Sequence, residues 1–251
     1  MTRPVLAARG LGHTYATGNG GLQALHDVTL SVSPHEIVGI VGPSGCGKTT
    51  LLKLLAGLLS PTAGYVLLNE TELSGPRRRI GVVFQKANLM PWRTVIENVS
   101  LPLELDSTTR EAARARAREI LKLVGLSEFS DAYPKDLSGG MEQRVAIGRA
   151  LVHNPDVLLL DEPFGALDAL TREQMGAALL DIWRVRRTTI VLVTHSIPEA
   201  IFLSDRVLVL TPRPGTVREQ VTVDLPRPRD LTMTYTPEFS NYAQQLRAAI
   251  G

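Results

Sequence analysis

Gly42-Pro43-Ser44-Gly45-Cys46-Gly47-Lys48-Thr49 sets two glycines five positions apart and follows the second with a lysine and a threonine. That order suits the capture of a polyphosphate, because a glycine-rich turn can aim successive backbone N–H groups at phosphate oxygens. Lys48 would neutralise the β- and γ-phosphates, Thr49 would ligate Mg2+, and Thr50 extends the set of contacts with the bound nucleotide. A second cluster, Asp161-Glu162, ends the apolar run Val157-Leu158-Leu159-Leu160. Two adjacent carboxylates must lie at a sheet edge, since burying both unpaired would be very costly. Asp161 suits the metal, directly or through water, and Glu162 suits orienting or deprotonating an attacking water. Alone, such a pair is equally consistent with a solvated strand end; joined to the glycine loop, it completes a phosphoryl-transfer set. Ser138-Gly139-Gly140 is a third element, either a second anion-binding turn at a helix start or an ordinary helix cap. The residues alone leave both readings open.

These groups need strands to carry them and helices to follow. Glu36 to Val41 is a continuous apolar strand running into the glycine loop, and Leu51 to Leu58 follows with helical spacing and Gly57 near its end. Leu22 to Val32 alternates like a half-buried strand, and the opening third as a whole reads as β-rich. Tyr65 to Asn69 and Arg79 to Gln85 are continuous apolar strands of the kind expected in a covered parallel sheet. From about Met90 to Val152 the patterns are helical, including Thr109 to Val124 with Thr108 or Thr109 as N-cap and Gly125 as stop. Strand and helix then alternate: Val157 to Pro163, a helix from about Ala169 to Arg186, Thr189 to His195, a short helix near Pro198 to Leu203, and Arg206 to Thr211. A Pro212-Arg213-Pro214-Gly215 turn, an alternating segment from Val217 to Leu225, and a proline-rich tail with a last helix near Phe239 to Ile250 close the chain. No internal repeat is present. The predicted fold is α/β: a phosphate-loop NTPase core with an N-terminal antiparallel β subdomain and an inserted helical subdomain at about 88–152. The domain spans 1–225, and 226–251 forms a C-terminal tail.

Composition narrows the function further. The 251 residues carry 27 basic and 25 acidic side chains for a net charge of +2, which argues against a nucleic-acid footprint. Arg77, Arg78 and Arg79, and Arg110, Arg114, Arg116 and Arg118, read as solvated faces without interleaved aromatics. No apolar run approaches the ~20 residues needed to span a bilayer, and the start has no signal-peptide core, so a cytoplasmic location is expected. Cys46 is the one cysteine, which excludes an internal disulfide and a multi-cysteine metal site. Its thiol is either reactive within an electropositive loop or simply a small residue tolerated there.

The ordered set GPSGCGKTT, Gln85, LSGGM, VLLLDEP, Ala166-Leu167-Asp168 and His195 resembles the ABC ATPase family over about Val5 to Leu225. The resemblance implies an ATPase that uses ATP and Mg2+ and pairs head to tail as a homodimer, Ser138, Gly139 and Gly140 of one chain facing the phosphate loop of the other. It assigns Tyr15 to adenine stacking, Gln85 to magnesium and water, Asp168 to a cross-dimer contact and His195 to the γ-phosphate. Read as residues alone, Tyr15 and His195 are more often packing or cap residues. His35-Glu36 departs from the usual Gly-Glu, and Glu142 stands where a longer polar residue is frequent. FQKANLMPWRTVIENV, TPRPG and LPRPRD are similar to the nitrate, sulfonate and taurine importers. The resemblance thus implies a subunit peripheral to the inner face of the cell membrane, bound to an integral permease and indirectly to a solute-binding protein. Exposed-type Leu89, Met90, Pro91 and Trp92 would meet the permease. Importers of thiamine precursors or riboflavin, and a stand-alone soluble ABC ATPase, remain alternatives.

Overall fold

Five apolar runs assemble into one parallel sheet. β3 (Ile37–Val41), β6 (Ile80–Val83), β7 (Val157–Asp161), β8 (Thr189–Val193) and β9 (Arg206–Leu210) lie in the order β9-β3-β8-β7-β6, with β10 (Val217–Thr222) antiparallel on the β9 edge. The computed structural model describes residues 3–16, 18, 21–106 and 108–251. The strands read as unbroken apolar runs because both faces of the sheet are covered. Ile37, Leu158, Leu160, Ile190, Leu192, Val207 and Val209 point into one core, and Val38, Ile40, Val157, Leu159, Val191, Val193 and Leu208 into the other.

The second core is closed by α1 (Lys48–Leu55) and by a smaller antiparallel sheet, ordered β2-β1-β4-β5. Here β1 (Leu6–Tyr15) pairs with both β2 (Leu22–Val32) and β4 (Ala63–Leu68), and β5 (Thr71–Glu72) pairs with β4. The expectation that Tyr65 to Asn69 joins a covered parallel sheet is therefore corrected. Only Val66 and Leu68 are buried, while Tyr65 is 43% exposed, as befits a strand with one wet face.

The first core holds α2 (Val95–Glu104), α3 (Arg110–Leu123) and α4 (Gly139–Leu151), all between β6 and β7 in the chain, and α5 (Ala169–Arg186) and α6 (Ile197–Leu203). Thr109 is the N-cap of α3 and accepts from the Ala112 N–H. Asn98, fully buried, holds the segment before α2 through bonds to the carbonyls of Met90, Arg93 and Thr94 and from the Met90 N–H. Arg149 on α4 donates to the carbonyls of Ala87 and Asn88. In this braced segment Leu89 and Met90 are half-buried, Leu89 against the core, so only Pro91 and Trp92 keep the exposure expected of all four; Trp92 is 72% exposed.

α7 (Pro237–Ile250) packs Phe239, Leu246 and Ala249 into the first core. Buried Arg229 ties the tail down through the carbonyls of Ile201, Phe202, Ser204 and Val223. Five arginines of the two runs meet carboxylates of this chain: Arg78 with Asp106, Arg79 with Asp156, Arg110 and Arg114 with Glu97, Arg116 with Glu119. His35 takes a left-handed φ of 66°, which explains why glycine suits that position.

Candidate functional site

The carboxyl ends of β3, β7 and β8 lie side by side, and the chain leaves each of them carrying a candidate group. β3 runs into the glycine loop and α1. β7 ends at Asp161, paired in register with Val193, so Glu162 and His195 emerge beside each other. The Glu162 N–H donates to the Val193 carbonyl at 2.8 Å and fixes that exit.

The loop is shaped by its glycines and by Lys48. Gly47 has φ of 106°, and a Cβ there would stand 2.8 Å from the Ala24 carbonyl and the Leu25 side chain, so only glycine fits. Lys48 is 7% exposed and donates to the carbonyls of Gly42 and Pro43 at 2.8 and 2.9 Å. It forms no ion pair with any described carboxylate, so its charge is available to an anion. Cys46 is 1% exposed, with the Lys48 ammonium 3.9 Å from its sulfur, and acts as a small packed residue.

Thr49 Oγ1 donates to Asp161 Oδ1 at 3.2 Å. Asp161 is 6% exposed, and burial holds its carboxyl above the ordinary carboxylate range against the opposing pull of Thr49, Lys53 and Lys48. A desolvated carboxylate beside a hydroxyl is a hard oxygen pair that a divalent cation would relieve. No cluster of three or more His, Cys, Asp or Glu suited to a metal occurs among the described residues. Mg2+ is nonetheless compatible, because it characteristically takes one or two carboxylates and completes its shell with phosphates and water.

Glu162 Oε2 accepts from His195 Nδ1 at 3.1 Å and from Gln85 Nε2 at 3.5 Å. Glu162 itself sits at φ of 46°, a left-handed conformation rarely adopted by a glutamate and typical of strained site residues. With Tyr15, Ser44, Gly45, Gly47, Lys48, Thr49 and Thr50, Glu162 and His195 line one open cleft of about 650 Å³, a size suited to a nucleotide. Tyr15 also packs edge-on against His13 and bonds Thr50 Oγ1 at 3.1 Å, so it combines packing with lining. Three further residues line the cleft that the sequence did not single out: Leu22, Ala24 and Arg213. The first two belong to a strand legible from its alternation, and Arg213 was visible only as part of a turn.

Ser138, Gly139, Gly140 and Asp168 stand apart from this cleft. Ser138 caps α4 and accepts from the Met141 N–H at 3.4 Å; Asp168 caps α5 and accepts from the Thr171 N–H at 3.0 Å. The Thr171 side chain first, and the Thr171 N–H after it, hold the Asp168 carboxyl below its usual range. The two helix starts adjoin, since a Cβ on Gly140 would meet the Thr171 side chain at 2.9 Å. Within one chain Ser138 and Asp168 act as caps, and Gly139 and Gly140 open α4.

Behind the cleft, Glu199 on α6 is 9% exposed, and one of its carboxylate oxygens has no partner. Burial pushes its pKa from 4.5 to about 7, while Thr194 and Arg172 oppose the rise and Glu162 adds to it. The folded chain therefore holds this proton more tightly than the unfolded one, so stability falls as pH rises from 4.5 to 7 and the full cost is carried above 7. Glu199→Gln is expected to gain about 3 kcal/mol at pH 8 and little at pH 4.5, measured by urea unfolding at both values. Equal pH dependence in the two proteins would exclude this.

The model of the ABC transporter family matches residues 25–165. The chain is 50% identical over 225 residues to an uncharacterized ABC transporter ATP-binding protein of Methanocaldococcus jannaschii, covering 90% of this chain and 83% of that protein. It is 47% identical over 222 residues to a taurine import ATP-binding protein of Burkholderia pseudomallei, covering 88% and 85% of the two. A solved dimeric ATP-binding cassette in a post-hydrolysis state bound to ADP and Pi aligns with a TM-score of 0.77 at 36% identity, covering 88% of this chain and 99% of that one.

Proposed function

Because this chain belongs to the ABC transporter family, we propose that it is an ATP-binding, ATP-hydrolysing subunit that works as a head-to-tail dimer and energises import of a small solute through a separate membrane permease. The observation that carries the reading is the division of its motifs. Lys48, Thr49, Glu162 and His195 line one cleft, with Asp161 bonded to Thr49 and Gln85 to Glu162, while Ser138 and Asp168 cap two adjoining helices outside it. A second chain would bring those helix starts, with their unsatisfied N–H groups, to the open side of the cleft.

In this mechanism Lys48 and the loop N–H groups hold the ATP phosphates, and Thr49 and Asp161 are the residues that would hold Mg2+. Bound there, the ion would supply charge neutralisation for the departing phosphate. Glu162 orients the attacking water and takes its proton, with His195 and Gln85 fixing the carboxylate. Pro91 and Trp92, braced by Asn98 and Arg149, are the surface proposed for the permease on the inner membrane face. No helix among the described residues is long and apolar enough to cross a membrane. The likeness to a taurine import ATP-binding protein supports a taurine-like or other sulfonate solute, and in the proposed system a solute-binding protein delivers it.

Mixing two inactive chains tests the shared site. Lys48→Ala and Ser138→Arg are each expected to abolish turnover, yet a mixed dimer keeps one intact loop facing one intact Ser138. Mixing should restore hydrolysis toward roughly a quarter of the natural rate if chains pair at random. No recovery in demonstrably mixed dimers would exclude sites completed by the partner.

A further inference from the structure

The turn between β9 and β10 presses against the phosphate loop. A Cβ on Gly215 would collide with the Cys46 carbonyl, and one on Gly42 would stand 2.9 Å from the Leu210 carbonyl. The turn is also pinned to β2, with the Gly215 N–H donating to the Ala24 carbonyl and the Gly215 carbonyl accepting from the His26 N–H, both at 3.0 Å. Thr211 closes it on itself, donating from Oγ1 to the Pro214 carbonyl and accepting from the Thr216 N–H. The result is a fixed platform carrying one long cationic side chain.

That side chain is Arg213. Its Nε donates to the Gly45 carbonyl at 3.1 Å, which brings the guanidinium to the lip of the cleft that Lys48 and Thr49 line. Arg206 is held by Glu36 and Arg227 by Asp205, while Arg149 and buried Arg229 spend their donors on backbone carbonyls. Arg213 pairs with no carboxylate among the described residues and is exposed. A guanidinium has five N–H donors in a planar fork suited to phosphate oxygens. One of them is spent on the loop, leaving the rest for a polyanion in the cleft.

We propose that Arg213 is a nucleotide-binding residue, which grips the phosphate loop through the Gly45 carbonyl and contributes a second cation, beside Lys48, to the phosphates. The proposal rests on the reading of this cleft as an ATP site. It gives the β9–β10 turn a role in nucleotide affinity, and it makes the Arg213 charge, rather than its hydrogen bond to Gly45, the part that matters.

Binding of ATP, ADP and adenosine to the purified full chain, by calorimetry, separates the possibilities across Arg213→Ala, Arg213→Gln and Arg213→Lys. Alanine and glutamine are expected to weaken ATP and ADP by about tenfold, lysine to recover part of the loss, and adenosine to be unaffected. Glutamine is the decisive variant, since it can still donate to Gly45 but has no charge. Full recovery with glutamine would reduce Arg213 to a brace, and an alanine variant that binds ATP as the natural chain does would remove it from the site; either result overturns the proposal. If the natural chain binds neither ATP nor ADP, the reading of the cleft fails instead. Matching thermal unfolding of the nucleotide-free proteins shows that the variants fold.

Discussion

Glu162→Gln is expected to bind ATP, to lose hydrolysis by roughly 10²–10⁴-fold, and to accumulate as a dimer. The amide keeps the size of the carboxylate and can still meet His195 and Gln85, which approach the Glu162 oxygen at 3.1 and 3.5 Å. It cannot accept a proton from water. ATP that is bound but not cleaved would hold two chains together, because the two halves of each proposed site come from different chains. Turnover of labelled ATP and the mass of the complex in solution are the two readouts. A variant that stays monomeric and still hydrolyses ATP would mark the chain as an ordinary phosphate-loop enzyme and remove the basis for the transport reading.

Lys48→Ala is expected to weaken ATP binding by about 100-fold or more, because two effects add. The variant loses the buried cation proposed to face the phosphates, and it leaves the carbonyls of Gly42 and Pro43 without the donor that now joins them. Titration with ATP and with adenosine separates these consequences, since the loss should be confined to the ligand that carries phosphate. Binding of ATP within twofold of the natural chain would place the phosphates elsewhere.

Much of this arrangement was legible beforehand for local reasons. Ile37–Val41, Val157–Leu160 and Ile190–Val193 carry apolar residues on both faces because each strand feeds two cores. The helical patterns between β6 and β7 carried their own caps, Thr109 and Ser138 among them. β1 was less legible, since Gly10 and Gly12 break its pattern and its register with β2 shifts along the strand. Tyr65 to Asn69 misled because a short apolar run does not say which sheet it joins.

The sequence by itself determined the chemistry of each segment: a loop able to wrap phosphate, a strand ending in two carboxylates, a serine and two glycines able to open a helix. Those properties depend on residues close together in the chain, so local sterics and hydrogen bonding suffice to set them. Only the tertiary structure decided which segments share a cleft. Parallel pairing of β3, β7 and β8 brings Lys48, Glu162 and His195 together across more than a hundred residues of chain, and the antiparallel sheet swings Tyr15 onto α1. It also set Arg213 against Gly45 and kept Ser138 away. Long-range pairing is fixed by burial of whole faces rather than by neighbouring residues, and no local pattern encodes it.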